Sequence, residues 1–116
     1  LLLSLARDVA TYFGRWQPLP TVFGGELVGH GVAVYITAED DAIEIHNRLN
    51  ALGSIPDGLY VVPLPDAGGA MPLFAPDPST RGPAITPAWV GLEQQFRAIP
   101  ELRVIVLDPL QPLCAL

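Results

Sequence analysis

Two apolar runs constrain this chain more than anything else in it: Val32-Ala33-Val34-Tyr35-Ile36-Thr37 and Leu102-Arg103-Val104-Ile105-Val106-Leu107. The first shows no polar alternation, and its β-branched Val32, Val34 and Ile36 favour extended backbone. Such a run reads as a strand buried on both faces, as in a parallel sheet. The second is the strongest strand signal in the chain. Each run ends on acid, the first on Glu39-Asp40-Asp41 and the second on Asp108. In open α/β sheets ligands bind beyond the carboxyl ends of the strands. If the two strands are parallel, their acids emerge at one sheet edge.

The remaining segments alternate in kind. Leu1 to Phe13 predicts a helix with Leu2, Leu5, Val9, Tyr12 and Phe13 on its apolar face and Gly14 as its stop. Arg15 to Gly31 is a loop rich in proline and glycine. After the acidic corner the period becomes helical, with Ala42, Ile45, Leu49 and Leu52 on one stripe. Gly53 is placed to end that helix in a left-handed conformation. Pro56-Asp57-Gly58 signals a turn, and Leu59-Tyr60-Val61-Val62 a short second strand. Residues 63–87 form a Pro/Gly-rich insertion loop, with short extended pieces and a hairpin around Ser79-Thr80-Arg81-Gly82. Thr86-Pro87 has the chemistry of a helix start, an N-cap followed by Pro at the first helical position. Trp89, Leu92, Phe96 and Ile99 mark that helix's apolar stripe before Pro100. The order helix, strand, helix, strand, loop, helix, strand predicts an α/β domain with a mostly parallel sheet.

Charge and cysteine usage narrow the function classes. Twelve acids against six bases leave a net charge of −6, and every base is arginine, since the chain has no lysine. That balance argues against a free-standing nucleic-acid binder, which carries a basic face. A single cysteine, Cys114, excludes an internal disulfide and a cysteine-rich metal site; a reducing, cytoplasmic setting fits. No apolar run reaches the roughly 18–20 residues of a membrane span, so no membrane association is expected. LLLSLARDVA has no preceding basic region and continues as an amphipathic helix, which separates it from a signal peptide. A start without Met and an apolar Leu113-Cys114-Ala115-Leu116 end read as cuts, so residues 1–116 are expected to be an internal piece of one domain.

Carboxylates gathered at one edge repel one another unless something offsets their charge. A bound Mg²⁺ does this, taking one or two carboxylates together with phosphate oxygens and water. A carboxylate left free of metal can orient or deprotonate an attacking water. Each acid also has a structural reading. Asp40 and Asp41 at a helix N-terminus cap N–H groups and meet the positive end of the dipole, and Asp41 with Glu44 has capping-box spacing. Asp108 before Pro109 can serve as a turn cap.

With Glu39 and Asp108 both in place, the chain resembles RecA-fold P-loop ATPases. The resemblance is nearest to the AAA-family group of RepA-type hexameric replicative DNA helicases. It rests on a helix like LLLSLARDVA, the strand and corner GVAVYITAED at Gly31 to Asp40, a following helix with Arg48-Leu49, and a strand ending in Asp108-Pro109-Leu110. It implies a partial RecA-like three-layer fold, ATP and Mg²⁺ as cofactors, DNA as a partner and a homo-hexamer. It also implies that Glu39 is the catalytic carboxylate polarising the attacking water, and that Asp108 is the Walker B acid of the metal site. The Gly-rich phosphate loop of that family is missing from residues 1–116, and a chain without lysine cannot supply its lysine. The resemblance would put that loop before Leu1, and the isolated chain is expected to be inactive.

Two other readings stand beside it. Response-regulator receiver domains also place two acids after one strand and a phosphoacceptor Asp, here Asp108, after another. Against this stand the separation of positions 40 and 108, the helix before the first strand and the absence of a lysine. A degenerate, non-catalytic ATPase subunit is the third. Among single residues, Gln111 reads as a turn residue, Arg81 as an exposed loop arginine, and Trp16 and Trp89 as packing anchors. His30 and His46 lack metal-ligand spacing.

Overall fold

A computed structural model of the chain describes residues 2–11, 29–53, 55–69 and 71–114. The long elements are α1 (Leu2–Thr11), β1 (Val32–Thr37), α2 (Ala42–Leu52) and β2 (Leu59–Pro63). They are followed by β3 (Phe74–Pro76), β4 (Pro83–Ile85), α3 (Pro87–Arg97) and β5 (Leu102–Asp108), with single 3₁₀ turns at Leu64–Ala67 and Gln111–Leu113. Tyr12, Phe13 and the loop expected up to Val28 lie outside the described residues.

The main sheet has the order β2-β1-β5, and β1 pairs in parallel with both neighbours. Tyr35 stands opposite Val61 on one side and Val106 on the other, and Thr37 opposite Asp108. Central placement accounts for the uniform character of β1, whose six residues are all buried. Helices α1 and α2 supply one layer: Leu3, Ala6, Val9, Ala10, Ile45 and Leu49 join Ala33, Tyr35 and Val106 in one core cluster. On the opposite face Val34 and Ile36 join Leu64, Leu73, Phe96 of α3 and Leu113. The result is an α/β three-layer arrangement of the partial RecA-like kind.

The buried faces differ from the predicted stripes in three places. In α1 the buried residues are Leu3, Ala6, Val9 and Ala10, while Leu2 is 40% exposed. Two alanines on the inner face let the helix approach closely, so that Gly58 lies against Ala10. In α2 only Ile45 and Leu49 are buried; Ala42 and Leu52, at its two ends, face solvent. Strand β5 is an edge of the described sheet, so its continuous apolar pattern yields only one fully buried residue, Val106. Periodicity records which residues are apolar, whereas neighbours decide which of them are covered.

Caps and turns follow the local chemistry. Thr86 accepts a hydrogen bond from the Trp89 N–H, with Pro87 in the first turn of α3. Gly53 ends α2 at φ +116°, its N–H donating to the Asn50 carbonyl. The Pro-rich segment contains the expected hairpin, in which β3 pairs antiparallel with β4. Its turn is organised by Asp77, which accepts from Ser79 N, Ser79 Oγ and Thr80 N. These bonds hold the Asp77 carboxyl below the usual carboxylate range, the Ser79 side chain contributing most. The 3₁₀ turn at Leu64–Ala67 has no counterpart in the sequence reading.

Gly31 fixes the entry to β1. A Cβ there would lie 2.3 Å from both the Glu101 carbonyl oxygen and Arg103 Cγ. The Arg103 side chain can swing away, but the Glu101 carbonyl is engaged by the Val32 N–H at 2.8 Å. Gly31→Ala is therefore expected to destabilise the fold by about 1–3 kcal/mol, as overpacking against backbone does. The measurement is the urea midpoint at unchanged m-value; a midpoint equal to that of the parent chain would remove the steric argument.

Candidate functional site

The carboxyl edge of the sheet is assembled from the ends of β1 and β5. The Ala38 N–H donates to the Asp108 carbonyl at 3.1 Å, so the backbones remain joined one step past the strand. Thr37, buried at 1% exposure, turns its hydroxyl oxygen to accept from the Asp40 N–H at 3.0 Å. This bond bends the chain out of β1 and into the acidic corner.

The three acids of that corner have different fates. Asp41 caps α2, accepting from the Glu44 N–H at 2.8 Å. The Asp41 backbone N–H faces the Glu44 carboxyl in return, as the capping-box spacing implies, and the Ala42 N–H is taken by Asp66 at 2.9 Å. Asp40 is ion-paired to Arg48 at 2.6 Å. The acids still crowd one another: Glu44 is pushed above its usual range, first by a hydrogen bond shared with the Asp40 carboxyl. Glu39 is exposed, and among the described residues no hydrogen bond or ion pair engages its side chain. It lies one residue beyond the Ala38–Asp108 backbone bond, so the fold brings its chain position to the edge that carries Asp108.

Asp108 is half-buried and accepts a hydrogen bond at Oδ2 from the Tyr35 hydroxyl. Both groups line a cavity of about 400 Å³, together with Leu3 and Ser4 of α1 and Arg48, Ala51 and Leu52 of α2. A cavity of this size is in the range of small-molecule sites. Burial, and then the bond to Asp108, raises the Tyr35 hydroxyl well above its usual value, so it stays protonated and donates. The sequence reading missed this bond. A partial signal was available: Tyr35 puts a polar tip in the middle of an apolar run, on a strand beside one ending in Asp.

The remaining candidates fall to structural roles. Trp89 packs between Phe74 and Phe96, at centroid distances of 5.8 and 6.3 Å. Arg81 is exposed in the hairpin turn at φ 61°. Gln111 opens a 3₁₀ turn and its carbonyl accepts from the Cys114 N–H. His46 is exposed, and Trp16 lies outside the described residues. No helix among the described residues is long and apolar enough to cross a membrane.

A family model described as an AAA domain matches residues 1–116. The chain belongs to the AAA domain family. No curated protein and no solved structure matches it. Membership makes this a P-loop ATPase-like domain and places it among nucleotide-binding proteins. In open α/β sheets ligands bind beyond the carboxyl ends of the strands, and the ends of β1 and β5 lie side by side at that edge.

The donor set at that edge also suits one kind of cation. No group of three or more His, Cys, Asp or Glu side chains that could cage a metal exists among the described residues. A lone half-buried carboxylate beside a cavity fits Mg²⁺, which keeps most of its waters and shares phosphate oxygens. It does not fit a metal that needs an all-protein shell.

Proposed function

We propose that this AAA domain is part of an ATP-hydrolysing motor of the hexameric replicative DNA helicase group. In this reading Glu39 polarises the attacking water, and Asp108 is the acid that holds Mg²⁺ through its water shell. The single observation that carries the reading is the shared edge: Asp108 ends β5 and Glu39 follows β1, with the two strands parallel and joined by the Ala38–Asp108 bond. Among the described residues Glu39 is the one acid of its corner without a side-chain partner, which supports a role toward solvent or substrate. Asp40 and Asp41 are occupied in the fold.

ATP is the substrate, and when bound Mg²⁺ neutralises charge on the transferring phosphoryl group. The chain's own residues supply the rest. Glu39 accepts the proton side of the attacking water, and Asp108 with Tyr35 fixes the edge against which the phosphates lie. The phosphate cradle is not in residues 1–116, which contain neither a Gly-Lys-Ser/Thr sequence nor any lysine. In this proposal the cradle precedes Leu1 in the protein, and DNA and five further copies are the partners of that whole assembly.

The absent lysine also favours a second reading, a degenerate subunit that assembles with an active ATPase. A receiver-like phosphoacceptor loses its ground, because the AAA match extends over the entire chain. Two measurements test the proposal. The purified 116-residue chain is expected to show no ATP hydrolysis above background; turnover by it would overturn the placement of the cradle. The coding sequence upstream of Leu1 is expected to encode a glycine-rich loop ending in Gly-Lys-Ser/Thr. A loop without that lysine would leave the degenerate subunit as the better reading.

A further inference from the structure

We propose that Tyr35 is a positioning residue for Asp108, holding one carboxylate oxygen so that the other serves the cation; this rests on the reading of Asp108 as the metal-site acid. Tyr35 sits in the middle of β1 and is 1% exposed. Its ring belongs to the core cluster formed with α1, α2 and Val106. Opposite Val106 in the register, it stands two residues short of Asp108 along β5. The length of the phenol spans that gap, and the hydroxyl donates to Asp108 Oδ2.

The packing role alone does not require tyrosine. Phenylalanine would fill the same cluster, and a buried phenol hydroxyl costs free energy unless it finds a partner. Here the partner is a carboxylate that lines a cavity, the acceptor type that forms the stronger hydrogen bonds. Among the described residues Oδ1 of Asp108 has no side-chain partner. Oδ2 is tied to a core residue that is 1% exposed while the carboxylate lines the cavity, so the bond fixes which of its two oxygens is held. Groups that orient a metal-site carboxylate change metal affinity by roughly 10–100-fold when they are lost.

The experiment uses the protein with its phosphate loop in place and measures Mn²⁺ affinity by electron paramagnetic resonance in the presence of ADP. Metal-free ADP affinity is measured beside it. For Tyr35→Phe, Mn²⁺ affinity is expected to fall about 10-fold while metal-free ADP affinity is unchanged. Asp108→Asn is the reference. If Asp108→Asn loses Mn²⁺ affinity and Tyr35→Phe does not, the positioning role is overturned and the metal role of Asp108 stands. If Asp108→Asn binds Mn²⁺ as the parent does, the metal reading falls and the role of Tyr35 falls with it. Equal losses of Mn²⁺ and metal-free ADP affinity in Tyr35→Phe would mark a structural defect and also overturn the proposal.

Discussion

Glu39→Gln, in a chain that includes the proposed phosphate loop, is expected under the proposed water-polarising role to reduce ATP hydrolysis by about 10²–10⁴-fold, the usual contribution of a positioned general base. ATP affinity should be essentially unchanged. Glutamine keeps the volume and the hydrogen-bonding reach of glutamate but loses the charge that draws a proton from water. The structure makes the substitution clean. Glu39 is exposed and its side chain makes no bond among the described residues, so the substitution removes no contact seen there. Its neighbours behave differently. Asp41→Ala removes the cap of α2 and is expected to cost about 1 kcal/mol of stability, with turnover per folded molecule retained. A stopped assay for released phosphate and a filter-binding measurement of ATP separate the two effects. Hydrolysis that survives Glu39→Gln would make the acidic corner a helix-capping device and nothing more.

That division of labour within one tripeptide shows how far sequence alone reaches. Strand β1, its acidic exit and the start of α3 were legible because each is written in local chemistry. An uninterrupted apolar run, an Asp with a helix behind it and a Thr-Pro pair carry their meaning within a few residues. The hairpin at β3 and β4 was legible for the same reason, since Asp77 closes its turn through residues two and three positions away. What was not legible is non-local. The inner face of α1 depends on how closely Ala6 and Ala10 can approach the sheet, and periodicity ranks both below Leu2 and Leu5. The half-exposed state of β5 depends on its place in the strand order. Asp66 reaches the start of α2 from 24 residues away, and Tyr35 reaches Asp108 from 73. Both acids of the proposed site were visible as strand ends, but the residue that orients one of them emerged only when two strands were laid side by side.

The energetic weight of that long-range pair can be measured apart from any catalysis. Asp108→Leu replaces the carboxylate by an apolar group of similar shape. The Tyr35 hydroxyl then loses its carboxylate acceptor, which is expected to destabilise the fold by about 1–3 kcal/mol. Tyr35→Phe placed on top of Asp108→Leu removes the orphaned hydroxyl as well, and most of the lost stability is expected to return. Removing both partners of a buried hydrogen bond is far milder than removing one. The coupling is read from urea unfolding of the parent, both single variants and the double variant. Strict additivity would mean that the hydroxyl and the carboxylate do not interact in solution. Hydrolysis should stay low throughout the Asp108→Leu arm, down by roughly 10–100-fold in both backgrounds, because restoring the fold does not restore the acid. The contrast between recovered stability and unrecovered turnover is what separates Asp108 as part of the site from Asp108 as a partner in the core.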